Sequence, residues 1–423
     1  MQLFRPARLA GGAGRFWLIV ALLAAVLIAA WSLQRIVDVE ELSWFEGTDS
    51  VDVGKDFQVF YAGSVLVADG DIELLYDFDA FQAQFEEHIG RAATPSMVFA
   101  NPPAFALVVA PLTAMAWQTA WIVWTVLSLA ALVLAVRVLS AQRALLVAGA
   151  VALSLPGLIA ITSGQSTFFW LLIVAGVFAL LRRDSRVAAG ALAGLLILKP
   201  PLLIGFGLWW LIDRRMHRTL LAAVSSAAAI VIVSTPFVGR AWLEYPFSLI
   251  RFADLHQTSE AQVWQFSPWG FFNLLAPGNP GVARLAGISA AILGAIAFLA
   301  FYRRHRDEWP LLFAASIVVT IWISPHVLVY DWVLLVAALA VLWRARPEST
   351  KAWRAAAVAL VFVASSSMLV ANLMRDTLGW AVQFAVPTLA LVAWFVAHQL
   401  RSAEPVSDEE PPAADVGQHA AIR

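Results

Sequence analysis

The stretch RRDSRVAAGALAGLLILKPPLLIGFGLWWLIDRRMHR, residues 182–218, holds two apolar pieces between two arginine clusters. Each piece, 187–198 and 201–212, makes ~18 Å of helix, too short to cross ~30 Å of hydrocarbon. Lys199-Pro200-Pro201 stands between them. Cytoplasmic loops collect Lys and Arg, so both outer ends belong on the cytoplasmic side. The stretch therefore reads as a hairpin of two half-helices with Lys199 at its tip. A single kinked span is the alternative, and it would strand one arginine cluster on the far side.

The rest of the chain fits a membrane setting. Of 423 residues, 61% are hydrophobic and 13% charged, with mean hydropathy +0.77. A soluble chain of this length needs far more polar surface, so the expected fold is an all-α polytopic membrane protein. Basic and acidic residues nearly balance, 28 against 29, which gives nucleic acid no electrostatic footprint. The absence of cysteine excludes disulfides, thiolate metal sites and a Cys nucleophile.

Further apolar runs fall at 17–34, 99–116, 119–138, 144–161, 165–181, 219–238, 282–302, 310–325, 327–344, 353–373 and 379–398. With the half-helices they suggest a bundle of about 11–13 transmembrane or half-membrane helices. The first run follows the basic MQLFRPARLAGGAGR without a small-residue cleavage site, and reads as an uncleaved span; a signal peptide is the alternative. The clusters at 182–186, 213–218, 302–306 and 344–354 should all be cytoplasmic. Alternation from an inside N-terminus then requires one of 99–116, 119–138 and 144–161 to fail to cross. NPPAFALVVAP (101–111) and the Pro156-Gly157 break are the candidates.

The expected organisation is one membrane domain over 1–400 and a Pro-, Ala- and acid-rich tail over 401–423, disordered in the cytoplasm. Two large extracytoplasmic segments interrupt the domain, 35–98 and 239–281. The first carries fourteen acids between Asp38 and Glu87. Within it DFQVFYAGSVLVADG and DFDAFQAQFEEHIG have helical apolar spacing, and read as short helices on the membrane surface or against the bundle. The second is rich in Trp, Phe, Pro and Asn. It reads as an interfacial aromatic belt, or as an acceptor platform using His256, Gln257, Trp264, Gln265 and Asn273. The last two spans read as scaffold.

With this topology the polar residues gather on the outer side. Asp56 lies in the first outer segment, Asn101 opens the next run, and Gly164-Gln165 ends a span. Lys199 caps the hairpin, and Ser324-Pro325-His326 turns between spans ahead of Tyr330-Asp331. His326 and Tyr330 share a helix face if the helix begins that early. Ionisable residues at membrane depth are costly and usually face a cavity. Each also has a bland reading: a turn at Gly164, a helix break at Pro200, a snorkelling Lys199, or a water-facing pair at His326 and Asp331. Taken together, a cation, an imidazole and a carboxylate at one cavity suit a phosphorylated lipid donor. Lys199 and His326 would stabilise phosphate oxygens, and a carboxylate would take a hydroxyl proton. No phosphate-binding glycine loop is present, so a nucleotide-bound donor is less favoured.

The succession KDFQVFYAGSVLVADGD, NPPAFALVVAPL, SGQSTFFWLLIVAGVFALLRRD, LAGLLILKPPLLIGFGLWWL and SPHVLVYDWVLL resembles glycosyltransferase family 87. These are bacterial polyprenyl-phosphate-mannose-dependent mannosyltransferases of the GT-C superfamily, with a catalytic carboxylate in the first outer loop. The resemblance runs from about residue 15 to 345. It implies an inverting hexosyltransferase in the bacterial inner membrane, acting in the cell envelope with its active site on the extracytoplasmic side. Its partners would be a polyprenyl-phosphate sugar, a glycolipid or glycan acceptor and membrane lipid. Through the D-x-x-x-[FY]-Y pattern at 56–61 it makes Asp56 the catalytic base and includes Tyr61. Lys199 and His326 would serve the donor phosphate, and Gln165, Tyr330 and Asp331 would be supporting or sugar contacts. Asn101 stands where the family often has Tyr, which bears on sugar or acceptor identity. The isoprenoid tail would lie near the small residues 188–196, which permit close approach or a groove. No cofactor is implied; a divalent metal is possible, with no dedicated ligand cluster in the sequence.

A transporter or flippase of lipid-linked sugars is the alternative from another class. It would place key charges near the midplane and show two similar halves, and no internal repeat is evident. A polymerase using a lipid-diphosphate sugar would be expected to present more outer arginines than Arg240, Arg251 and Arg284.

Overall fold

The computed structural model describes residues 54–94, 97–140, 144–255, 259–346 and 351–402. The first apolar run, 17–34, and most of the expected tail lie outside the described residues. The chain is an all-α polytopic membrane protein. Among the described residues the only extended pairing is an isolated bridge between Gln265 and Leu328.

Two helices come from the first acidic segment, α1 (Lys55–Asp69) and α2 (Phe78–Ile89). They are the two expected from spacing, and α1 is deeply packed: Phe57 to Ser64 are all buried. The run 99–116 forms α3 (Pro103–Val109) and a 3-10 turn, Ala110–Ala114. Seven helical residues reach ~10 Å. Both flanks are tied to α1, by Phe99 over Gly63 and by the Tyr61 hydroxyl donating to the Met115 carbonyl at 2.9 Å. This run is therefore the one that fails to cross.

The next helix, α4 (Trp117–Leu139), is long and apolar enough to span. It runs from Trp121, beside Gly54, to Leu139, whose carbonyl accepts from Arg344 Nη1 at 2.8 Å. The chain returns through α5 (Ala144–Ala152) and α6 (Leu155–Ser163), bent by 74°. Ser154 caps the second piece by accepting from Gly157 N–H, and Pro156 sits in its first turn, where a missing N–H costs nothing. Next, α7 (Thr167–Arg182) packs along α4 back toward the arginine end.

The opening stretch forms α8 (Arg186–Gly194) with a 3-10 turn to Leu198, then a 3-10 turn from Pro200 and α9 (Ile204–Ile212). Arg186 Nη1 donates to the Arg215 carbonyl at 2.7 Å. The two outer ends therefore meet, as a hairpin requires and a kinked span does not allow. One face of the small stretch 188–196, formed by Ala189, Gly190, Ala193 and Gly194, is filled by protein, while Ala188 and Ala191 are exposed. That face packs on α10 (His217–Val238), where a Cβ on Gly190 would lie 2.1 Å from the Thr219 carbonyl oxygen. Of the two expected uses of these small residues, close approach or a groove, the Gly190 and Gly194 face serves close approach to α10.

The second outer segment holds α11 (Ala241–Leu255), α12 (Ser259–Trp264) and α13 (Pro268–Leu275). Two helices follow, α14 (Pro280–His305) and α15 (Trp309–Ile323). A 3-10 turn, Val329–Leu334, leads into α16 (Leu335–Ala345), and α17 (Lys351–Ser365), α18 (Ser367–Leu378) and α19 (Ala385–Ser402) complete the bundle. The arginine clusters converge at one end. Arg215 bonds Asp307 at 2.8 Å, and Arg346 pairs with Glu308. A cavity of about 100 Å³ there is lined by Arg186, Arg215, Arg306, Asp184, Asp213 and Asp307. Its acids match its bases, so it offers a phosphate no net charge.

Candidate functional site

At the opposite end, three chain breaks meet. The Gly54 N–H donates to the Thr162 carbonyl at 2.6 Å, which pins the start of α1 to the end of α6. Asp56 thus sits in the first turn of α1, partly accessible. Gly164 follows α6 at φ 74°, and a Cβ there would lie 2.5 Å from Phe57 Cβ. Only glycine makes this turn without strain, and the turn delivers Gln165 to the carboxylate. Gln165 Nε2 donates to Asp56 Oδ2 at 2.7 Å, and Gln165 and Asp56 both lie near Tyr330.

The hairpin tip enters from another side. Lys199 Nζ donates to Asp331 Oδ1 at 2.5 Å and lies 5.0 Å from the Tyr330 ring centroid. Asp331 is 1% exposed and Lys199 13%, so their charges are compensated chiefly by each other. The other carboxylate oxygen accepts from Leu328 N–H at 3.1 Å, capping the 3-10 turn. Tyr330 is the meeting point: Gln165 and Asp56, and the pair Lys199 and Asp331, all stand near it.

His326 is near this cluster in sequence but is differently held. The helix begins only at Val329, so His326 and Tyr330 do not share a helix face; the condition of an early start fails because Pro325 and the Gln265–Leu328 bridge keep 325–328 extended. The half-buried imidazole meets the edge of Phe252 at 5.1 Å. Tyr61 has its hydroxyl committed to Met115. Asn101 contributes its backbone carbonyl, which accepts from the Tyr76 hydroxyl at 2.6 Å. Burial first, then the nearby Tyr245 and Glu244, hold the Tyr76 phenol far above its ordinary pKa, so it acts as a neutral donor. The Tyr61 hydroxyl thus ties α1 to the end of the 99–116 run, and the Asn101 backbone ties its start to Tyr76, ahead of α2.

The second outer segment is a strap. Phe266 N–H donates to the Val327 carbonyl at 2.8 Å, Trp332 Nε1 to the Phe266 carbonyl at 3.0 Å, and Gln265 Nε2 to the Pro325 carbonyl. Gln383 Nε2, from the segment before α19, donates to the Gln265 carbonyl at 2.7 Å. Asn273 bonds Gln262. Gln265 and Asn273 are therefore engaged within the protein. His256 and Gln257 lie outside the described residues. Gln383 and Phe252 were not identified from sequence, and Gln265 was singled out there only as a candidate acceptor contact. The only signal was a polar pair, Gln262 and Gln265, at helical spacing in an aromatic segment. Among the described residues no three His, Asp or Glu side chains gather as a metal set.

The model of glycosyltransferase family 87 matches residues 99–329, more than half of the chain. The match takes in Gln165, Lys199 and His326, begins after Asp56, and stops one residue before Tyr330. No curated protein and no solved structure matches the chain.

Proposed function

Because the chain belongs to glycosyltransferase family 87 and is a membrane glycosyltransferase, we propose that it moves a sugar, mannose in the first instance, from a polyprenyl-phosphate donor to an acceptor hydroxyl. In this reading the reaction takes place at the Asp56 end of the bundle, on the extracytoplasmic side of a bacterial inner membrane; the arginine clusters at the opposite end support that orientation. The observation that carries the reading is the pairing around Tyr330. A partly accessible carboxylate held by Gln165 and a cation held by Asp331 stand against one tyrosine at the end of an apolar bundle.

The chemistry divides between the two pairs. Asp56 accepts the acceptor's hydroxyl proton as its oxygen forms a bond to the anomeric carbon. The bond from that carbon to the phosphate oxygen breaks, and the phosphate leaves with the electron pair. Lys199 turns from Asp331 toward that developing charge, with His326 as a second donor. Attack from the face opposite the leaving phosphate inverts the centre, so a β-linked donor gives an α-glycoside. Gln165 fixes the rotamer of Asp56, and Asp331 holds Lys199 in place before donor binds.

The test is transfer by the purified full chain in vesicles, with radiolabelled polyprenyl-phosphate mannose, a panel of other polyprenyl-phosphate sugars and a glycolipid acceptor. Label moving from donor to acceptor supports the reading. Transbilayer movement of the donor without transfer would replace it with a flippase.

A further inference from the structure

Helix α11 leaves the spanning helix α10 at Gly239, whose φ of 44° and ψ of −121° suit glycine. Trp242 Nε1 then donates to Ser234 Oγ at 2.9 Å, folding the new helix back beside the end of α10. One face of α11 is buried in the protein, through Ala241, Tyr245 and Ser248. The other presents Leu243, Phe247 and Ile250, exposed by 72%, 68% and 64%. Spacings of four and three place these side chains on one face. An exposed apolar row of this kind marks an interaction surface.

What covers the row follows from its continuity. The adjoining end of α10 exposes Ile232, Val233 and Phe237, and α10 is long and apolar enough to span the membrane. The apolar row on α11 thus extends a lipid-facing surface around the corner at Gly239. Exposed Arg240 stands at the start of the row, as at a headgroup boundary. We propose that α11 lies in the plane of the membrane interface, with Leu243, Phe247 and Ile250 inserted among lipid acyl chains.

The protein-facing side of α11 touches His326 and the first outer segment. The Phe252 ring edge meets His326 at 5.1 Å. Arg251 Nη2 donates to the Tyr76 carbonyl at 2.6 Å, and its guanidinium lies 4.8 Å from the Phe78 ring. The bilayer therefore seats the helix that seats His326. This consequence rests on the proposed function; the lipid contact does not.

The natural chain has no cysteine, so single cysteines label cleanly. Spin labels would be placed on Leu243→Cys, Phe247→Cys, Ile250→Cys and, as a control, on exposed Asp69→Cys. The full chain would sit in vesicles of phosphatidylethanolamine and phosphatidylglycerol. The expected result is more collision with oxygen than with a water-soluble nickel chelate at 243, 247 and 250, and the reverse at 69. Nickel-dominated collision at the three sites would overturn the proposal. Low collision with both reagents would also overturn it, because protein, such as a second copy of the chain, would then cover the row. In the same vesicles Phe247→Ser should raise KM for the lipid donor at least threefold with kcat held within twofold. An unchanged KM would overturn the link to His326. Absence of transfer by the unsubstituted chain would fault the functional reading, while the collision data still decide the lipid contact.

Discussion

Removing the Asp331 carboxylate leaves the Lys199 ammonium desolvated without its counter-charge. Side-chain exposure is 1% for Asp331 and 13% for Lys199, so water compensates for little of the loss. Breaking such a pair from one side costs about 3–5 kcal/mol. Asp331→Ala also removes the acceptor for Leu328 N–H, a hydrogen bond to a charged group worth roughly 1.5–3 kcal/mol. Lys199→Met leaves Asp331 with only that bond, and should fall in the lower part of the same range. Lys199→Met combined with Asp331→Leu removes both charges and fills the space with apolar atoms of similar size, a change that is often nearly neutral. The double variant should therefore be more stable than either single one, with a coupling of at least about 3 kcal/mol. The assay is unfolding of the purified chain in mixed dodecyl maltoside and SDS micelles, run as a double-mutant cycle. Sugar transfer is read in parallel and should be lost in all three variants, because each lacks either Lys199 or its counter-charge. Additive losses, with the double variant the least stable, would refute the buried pair.

Two glycines on α9 should behave oppositely. A Cβ on Gly205 would lie 1.9 Å from the Ser316 carbonyl oxygen, so Gly205→Ala should destabilise by about 1–3 kcal/mol or more in the same unfolding assay. Gly207 faces open space, and Gly207→Ala should be neutral or gain up to about 1 kcal/mol from helix propensity. Gln165→Leu removes the donor at 2.7 Å from Asp56. At roughly 1.5–3 kcal/mol for a charge-assisted bond, kcat in the transfer assay should fall by about 10- to 150-fold with folding retained.

The sequence carried the helical class, the two short helices of the first outer segment and the hairpin, because apolar periodicity and arginine placement act locally. It also placed Asp56, Gln165, Lys199, Tyr330 and Asp331 at one end, since loop sidedness fixes where such residues fall. The partners were another matter. Lys199 and Asp331 are 132 residues apart, and nothing local says that they neutralise each other. The expense of burying either charge alone was the available hint. A one-turn spacing is indifferent to where a helix starts, so the sequence puts His326 on a face with Tyr330 only on condition of an early start; the helix starts only at Val329. Tyr61 and Asn101 lay beside motif positions, yet their hydrogen bonds serve packing. The stripe at 188–196 has the composition of either a groove or a helix contact, and only the position of α10 distinguishes them.

The most direct test of the central claim compares transfer of mannose from polyprenyl-phosphate mannose by the unsubstituted chain and by Asp56→Asn, at equal folded amounts in vesicles. Asparagine keeps the shape and cannot take the proton, so the account predicts a loss of about 10²- to 10⁴-fold in kcat. Transfer by Asp56→Asn at the unsubstituted rate would contradict it.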